Sequence, residues 1–308
     1  MEGYRRMSGP ASGAAGGNLR VGLLGVDTSH AGAYARILND QAAIPGARIT
    51  WVWGGVVRAD QPDARTLAAT YAIDRVIAEP TELLHQTDLV LVVDDAGHGR
   101  HHVPQARAFV AAGVPAFLDK PMTPDLGEAR TLFRLAAERG VPVTSSSALR
   151  YARELAEDAA YVADLGEPSS VVSVGPGEWF HYGVHAVEQV YAVLGPGVQW
   201  VQRASWPERD VAVLGYGPGG PTAVVQVLRD ATCGFHLTLH ARKGRHSITI
   251  EDADAYYTAQ LRAVVEMVRT GVPPVAPAET LEILAVLRAG ELSAAADGAR
   301  VHLADVLA

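Results

Sequence analysis

The sequence predicts an α/β chain of two domains, a doubly wound parallel sheet followed by an α+β unit with an open, mainly antiparallel sheet. Three observations lead there. From Leu19 to about residue 148, short β-rich runs alternate with longer helix-like segments, the βαβ rhythm of a parallel sheet covered on both faces. The first run feeds a glycine turn, VGLLGVDTSHAG at 21–32, the way a dinucleotide-binding domain begins. After about residue 148 the pattern changes to consecutive strand-like runs with short gaps, which implies antiparallel pairing. The expected division is a disordered tail over 1–17, a Rossmann-like dinucleotide-binding domain over 18–148, and a second, α+β domain over 149–308.

The opening MEGYRRMSGPASGAAGGN is dominated by Gly, Ala and Ser and has no hydrophobic stretch. It reads as a disordered lead-in rather than a secretory signal, with Met7 an alternative start. Strand candidates follow as LRVGLLGV, RITWVWGG, RVIA, LVLVVDD, PAFLDK and VPVTSSS. Their apolar parts are continuous rather than alternating, as in strands buried on both faces. Helices are expected over 31–39, 62–71, 80–86, 100–112 and 124–139. Gly113 and Gly140 each follow a helix, with Pro115 and Pro142 two residues on, the residue types that stop one.

In the second half a helix is expected from Leu149 to about Ala163, then the strand SSVVSVGP, then a helix over 182–194. The strand-like runs VQWVQRASW, DVAVLGY, TAVVQVL, GFHLTLHAR and HSITIED come next, with GYGPGGP a turn cluster between two of them. Helices near 256–270 and 279–296, separated by TGVPPVAP, close the chain. There is no internal repeat.

The formal net charge of -8 argues against nucleic acid or an anionic membrane as the main partner. No apolar run approaches the ~18 residues of a membrane span. Cys233 is the only cysteine, which suits a reducing cytoplasm and a small core residue rather than a disulfide.

In an open parallel sheet, ligands bind beyond the carboxyl ends of the strands, where strand order reverses. The expected strand ends present Asp27 and His30 after the first, Asp94, Asp95 and His98 after the fourth, Asp119 and Lys120 after the fifth, and Ser145 to Ser147 after the sixth. With the first and fourth strands as neighbours, Asp27, His30, Asp95 and His98 are expected to cluster at the crevice. The cradle itself would be Gly25, Val26, Asp27, Thr28, Ser29 and His30. Only Gly25 keeps the glycine fingerprint; Asp27 and His30 stand at its second and third positions. A carboxylate ~4 Å from a phosphate charge repels it by about 4 kcal/mol at an effective dielectric of 20. Three escapes are open: Asp27 caps the following helix, His30 or His98 neutralises it, or no dinucleotide binds. The second strand ends without an acid at 53–57 and with Arg58 close by, which mildly favours NADP over NAD.

The stretch AAGVPAFLDKPMTPDLGEARTLFRLAAERGVPV resembles the Gfo/Idh/MocA oxidoreductase family, with Asp119-Lys120-Pro121 in place of E-K-P. FHYGVHAVEQVYAVLG resembles the family's D-x-G-x-H helix, and the segment from Leu261 to Leu303 its C-terminal signature, so the likeness runs over nearly the whole chain from Leu19. The resemblance implies an NAD(P)-dependent dehydrogenase or reductase acting on a sugar, inositol or related carbonyl. It also implies that residues 149–308 are a substrate-binding and oligomerisation domain, with a homodimer or homotetramer formed through the C-terminal sheet. It makes Lys120 the group beside the nicotinamide and the reacting oxygen, and His185 the acid–base histidine. The family's aspartate four residues earlier is His181, so the usual dyad partner of His185 is missing. Arg150 and Tyr151 resemble an Arg–aromatic pair at the domain junction, and Trp179 and Tyr182 could stack on a sugar-like ring.

His181, His185 and Glu188 are spaced as one helical stripe. Such a stripe could hold an ion, and a metal-free pair of imidazoles is the alternative retained. The expected activity is hydride transfer between NADP or NAD and a hydroxyl or carbonyl carbon of a small polar substrate. Two other readings stay open, a redox-silent lyase, isomerase or hydrolase and a non-catalytic ligand-binding subunit.

Overall fold

The computed structural model describes residues 18–308, so the expected tail over 1–17 lies outside the described residues. The six apolar runs of the first half form β1 (Leu19–Leu24), β2 (Ala47–Trp53), β3 (Arg75–Ile77), β4 (Leu89–Val92), β5 (Ala116–Leu118) and β6 (Val143–Ser145). They pair in the order β3-β2-β1-β4-β5-β6, all parallel. Every residue of β4, β5 and β6 is buried, which explains why these strands lack polar alternation. Strand order reverses between β1 and β4, and that is where the crevice opens.

The intervening helices are α1 (Ser29–Ala35), which runs on through a π-helical turn over Arg36–Asp40, α2 (Ala64–Thr70), α3 (His102–Ala111) and α4 (Leu126–Arg139), with a 3-10 segment over Pro80–Gln86. The ends of α4 follow from its sequence. The Asp125 side chain accepts from the amides of Gly127 and Glu128, and Gly140 closes the helix at φ 63.

The helix expected from Leu149 to Ala163 is instead broken into a 3-10 turn over Ala148–Tyr151, α5 (Arg153–Glu157) and α6 (Ala159–Leu165). Ala152 is extended, at φ -59 and ψ 133. Arg150 is clamped by carboxylates of two other helices, which fixes the turn away from a continuous helical path.

The second sheet comprises β7 (Pro168–Pro176), β8 (Trp200–Trp206), β9 (Arg209–Gly215), β10 (Thr222–Leu228), β11 (Phe235–Ala241), β12 (Gly244–Ile250) and β13 (Val301–His302). Its order is β12-β11-β7-β10-β9-β8-β13. All pairs are antiparallel except β7 with β10. Alternate residues of β10 are buried, so one face is packed and the other open. The packed face carries α7 (Gly183–Leu194) and α9 (Pro277–Ala295), and the short α10 (Leu303–Leu307) ends the chain. The helix α8 (Ala253–Thr270) crosses back to the first sheet. Its Leu261, Val264, Val265 and Met267 share a core with Val21 and Leu23 of β1. Residues after 250 therefore complete the core of the N-terminal sheet. Among the described residues, no helix is long and apolar enough to cross a membrane.

Candidate active site

The loops leaving β1 and β4 lie against each other. Gly25 has φ +98, and a Cβ there would stand 2.5 Å from the Asp94 amide nitrogen, so only glycine fits the close approach. Asp27 is fully buried, and its Oδ1 accepts from the Asp95 amide at 3.0 Å. Burial pushes this carboxyl up from its ordinary range, partly opposed by the backbone amides it accepts from. Asp27 therefore turns away from the cleft, but not in either expected form. Thr28 caps α1, accepting from the His30 amide, and neither His30 nor His98 pairs with Asp27.

His30 reaches the other way. Its Nδ1 lies 2.7 Å from Asp119 Oδ2, and its ring sits between Tyr34 of α1 and Tyr257 of α8. Asp119 is buried, which by itself would raise its pKa. The charges of His30 and Lys120 outweigh that and hold it well below the carboxylate range. The expected crevice cluster thus separates: Asp27 and Asp95 meet, while His30 joins Asp119 at the end of β5. Lys120 is 5% exposed, with Nζ 5.6 Å from the centre of the Tyr182 ring.

On the histidine helix the structure departs from the expected stripe. Tyr182 is the N-cap of α7, so His181 precedes the helix and does not share a face with His185 and Glu188. His181 Nε2 lies 3.3 Å from Asp95 Oδ1, with the His98 ring edge-on at 4.4 Å. Burial and the Lys120 charge lower its pKa to about 4. His185 Nδ1 is 2.7 Å from Ser147 Oγ, which also accepts from the Leu149 amide. Burial, then Lys120 and His30, push this imidazole well below its ordinary value. Glu188 accepts from the Arg150 Nε at 2.6 Å and the Ser147 amide at 3.1 Å. The three side chains expected on the stripe point to three different partners and do not converge on an ion.

Three expected substrate contacts are placed elsewhere. Arg150 is clamped between Glu188 and Glu279, each at 2.6 Å, which anchors the turn after β6 to α7 and α9. Trp179 is 2% exposed and donates to the Leu287 carbonyl, packing on Gly290 and Arg203; it is core. The Tyr151 hydroxyl lies 3.2 Å from Ser146 Oγ and away from the cavity.

The cavity occupies about 300 Å³ between the two sheets' loops. It brings together Thr28, Ser29, His30, Arg58, Asp95, Lys120, His181, Tyr182 and His185, residues drawn from both halves of the sequence. Gln61, Phe235, Tyr256 and Tyr257 also line it and are missed by sequence reasoning. Tyr256 and Tyr257 at the start of α8 pack against the two separate cores, and nothing in the sequence around them marks them as cavity-lining. Arg58 pairs with Asp60 at 2.7 Å and approaches Asp95 at 3.5 Å. His98 lies outside this space, at φ +51, lining a neighbouring cavity of about 410 Å³ with Arg100 and Glu178.

A dinucleotide fits these residues on two grounds. The Gly25 cradle is one that a Cβ would fill, and the Asp27 charge is sequestered beneath the turn rather than aimed into the cleft. Thr28 and Ser29 would face its phosphates, and Lys120 the reacting end.

Residues 19–147 match the family described as oxidoreductase family, NAD-binding Rossmann fold. The chain is 26% identical over 145 residues to the uncharacterized oxidoreductase YhhX of Escherichia coli, a match covering 42% of each. It is 30% identical over 131 residues to inositol 2-dehydrogenase 2 of Paenarthrobacter aurescens, covering 42% of this chain and 36% of that one. The matching segments thus span well under half the length of these relatives. The crystal structure of myo-inositol dehydrogenase from Lactobacillus casei, in complex with NAD(H) and myo-inositol, superposes with a TM-score of 0.76 at 15% identity. That match covers 92% of this chain and 96% of that one, so the fold is shared along nearly the whole length.

Proposed function

Through residues 19–147 the chain belongs to the Gfo/Idh/MocA oxidoreductase family, and from that premise we propose that it is an NAD(P)-dependent dehydrogenase of a small polyol or related carbonyl compound. The observation that carries this reading is the cavity itself. Lys120, His185 and Tyr182 converge there within reach of the glycine turn. The bound nicotinamide would supply the hydride acceptor or donor. Lys120, a cation buried at the strand end, stabilises charge developing on the reacting oxygen. His185 is held neutral by burial and by Lys120, and hydrogen-bonds a substrate hydroxyl from an orientation fixed by Ser147. Tyr182 and Phe235 offer apolar faces to a ring-shaped substrate.

Inositol-type polyols suit this lining of imidazoles and aromatic rings, and the name of the Paenarthrobacter relative points the same way. NADP is proposed over NAD because Arg58 stands beyond β2 without an acid at 53–57; its pairing with Asp60 sets the phosphate in competition with a carboxylate. The open face of the second sheet is the surface proposed for a homodimer or homotetramer. Incubation with NAD+ or NADP+ and a panel of inositols and hexoses, followed by the absorbance of the reduced nicotinamide, tests the activity. Reduction with at least one polyol is expected. No reduction together with no cofactor binding would favour the redox-silent or ligand-binding readings instead.

A further inference from the structure

Of the three histidines that line the cavity, two have opposite kinds of partner. His185 faces a hydroxyl, while His30 faces a carboxylate at 2.7 Å. Asp119 is ionised in its setting beside Lys120 and can only accept a hydrogen bond. The proton between the two must therefore sit on His30 Nδ1. The other ring nitrogen, Nε2, meets no partner among the described residues and is a lone-pair acceptor whenever the ring carries one proton. Tyr34 and Tyr257 fix the ring plane, so its direction is set before any ligand arrives. A histidine oriented by a carboxylate through Nδ1 is the arrangement that general acid–base catalysis uses.

We propose that His30, held by Asp119, is the catalytic acid–base of this site, doing what His185 cannot do beside a serine. The inference rests on the dehydrogenase reading. As the carbinol C–H pair leaves as hydride to the nicotinamide, the O–H pair becomes the second C–O bond. The hydroxyl proton then passes to His30 Nε2. The resulting imidazolium is stabilised by the Asp119 carboxylate, and carbonyl reduction returns the same proton. Asp119 is a positioning residue, because it acts through the ring.

Nitrogen-15 NMR of the His30 ring in the full chain tests the dyad without substrate. The wild type should show the Nδ1–H tautomer, and Asp119→Ala, which removes the acceptor, should abolish that preference. An Nε2–H tautomer in the wild type would overturn the proposal. With the polyol that the wild type oxidises fastest, His30→Ala should lose ~100-fold or more in rate at saturating cofactor. Added imidazole should restore part of it, and the cofactor Kd from calorimetry should change less than about threefold. A loss confined to cofactor Kd, or an unchanged rate, would overturn the role of His30 while leaving the dehydrogenase reading intact. A wild type that binds no dinucleotide would overturn that reading, and this role with it.

Discussion

The turn after β1 and the histidine helix α7 are two edges of one cavity, and they treat their charges differently. At the turn, each ionisable side chain is answered by the neighbouring loops: Asp27 by the Asp95 amide, His30 by Asp119. At α7, the carboxylate is withdrawn from the site. Glu188 holds Arg150 and the Ser147 amide, and His185 is left with a hydroxyl. The difference teaches that the acid–base capacity of a histidine follows its partner rather than its place in a motif. A ring with an anion at Nδ1 can carry a proton, and one buried beside Lys120 without an anion cannot hold it cheaply.

The largest effect should come from the cation that both edges share. Lys120→Ala is expected to lower turnover ~1000-fold, about 4 kcal/mol of transition-state stabilisation, with the far-UV spectrum unchanged. A folded variant within tenfold of wild type would remove Lys120 from the chemistry. Next, Glu188→Ala breaks a buried ion pair, leaving Arg150 with Glu279 alone and the Ser147 amide without its acceptor. It should cost about 3–5 kcal/mol in urea unfolding; a loss below about 1 kcal/mol would mean that α7 is held by other contacts.

The pH dependence of stability sharpens the comparison further. His181 titrates at about 4 in the fold and near 6.5 in an unfolded chain. Between those values the unfolded chain takes up the proton and the folded one does not, so stability falls as the pH drops from 6.5 towards 4. His185 acts in the same direction. Roughly 2 kcal/mol should be lost to His181 between pH 7 and pH 5. His181→Gln should flatten the urea midpoints over that interval by the same amount, and equal slopes in both proteins would contradict the burial argument.

The parallel sheet was readable because buried strands leave continuous apolar runs and helices end on Gly and Pro. β1 to β6 fall on the six expected runs, and Gly140 closes α4 where expected. The family likeness was legible for the same local reason, since it rests on contiguous motifs. Partner choice was not legible. Nothing near Asp27 in sequence shows that it bonds an amide at residue 95, and nothing near His30 shows that it reaches residue 119, because both contacts are made across the sheet. Helical spacing placed His181 on a stripe with His185, but the helix begins only after Tyr182. Trp179 reads as a ring for stacking until α9 is seen to cover it.

We infer that the altered glycine turn remains a dinucleotide cradle because the Asp27 charge is turned into the protein. Calorimetric titration of NAD+ and NADP+ into the wild type and into Asp27→Asn tests it most directly. Asparagine keeps the oxygen that accepts from the Asp95 amide and removes only the charge. One saturable site is expected in the wild type, with a Kd within about threefold in the variant. A carboxylate aimed at the phosphates would repel them by about 4 kcal/mol, so tightening of a hundredfold or more in Asp27→Asn, or no binding by the wild type, would contradict the account.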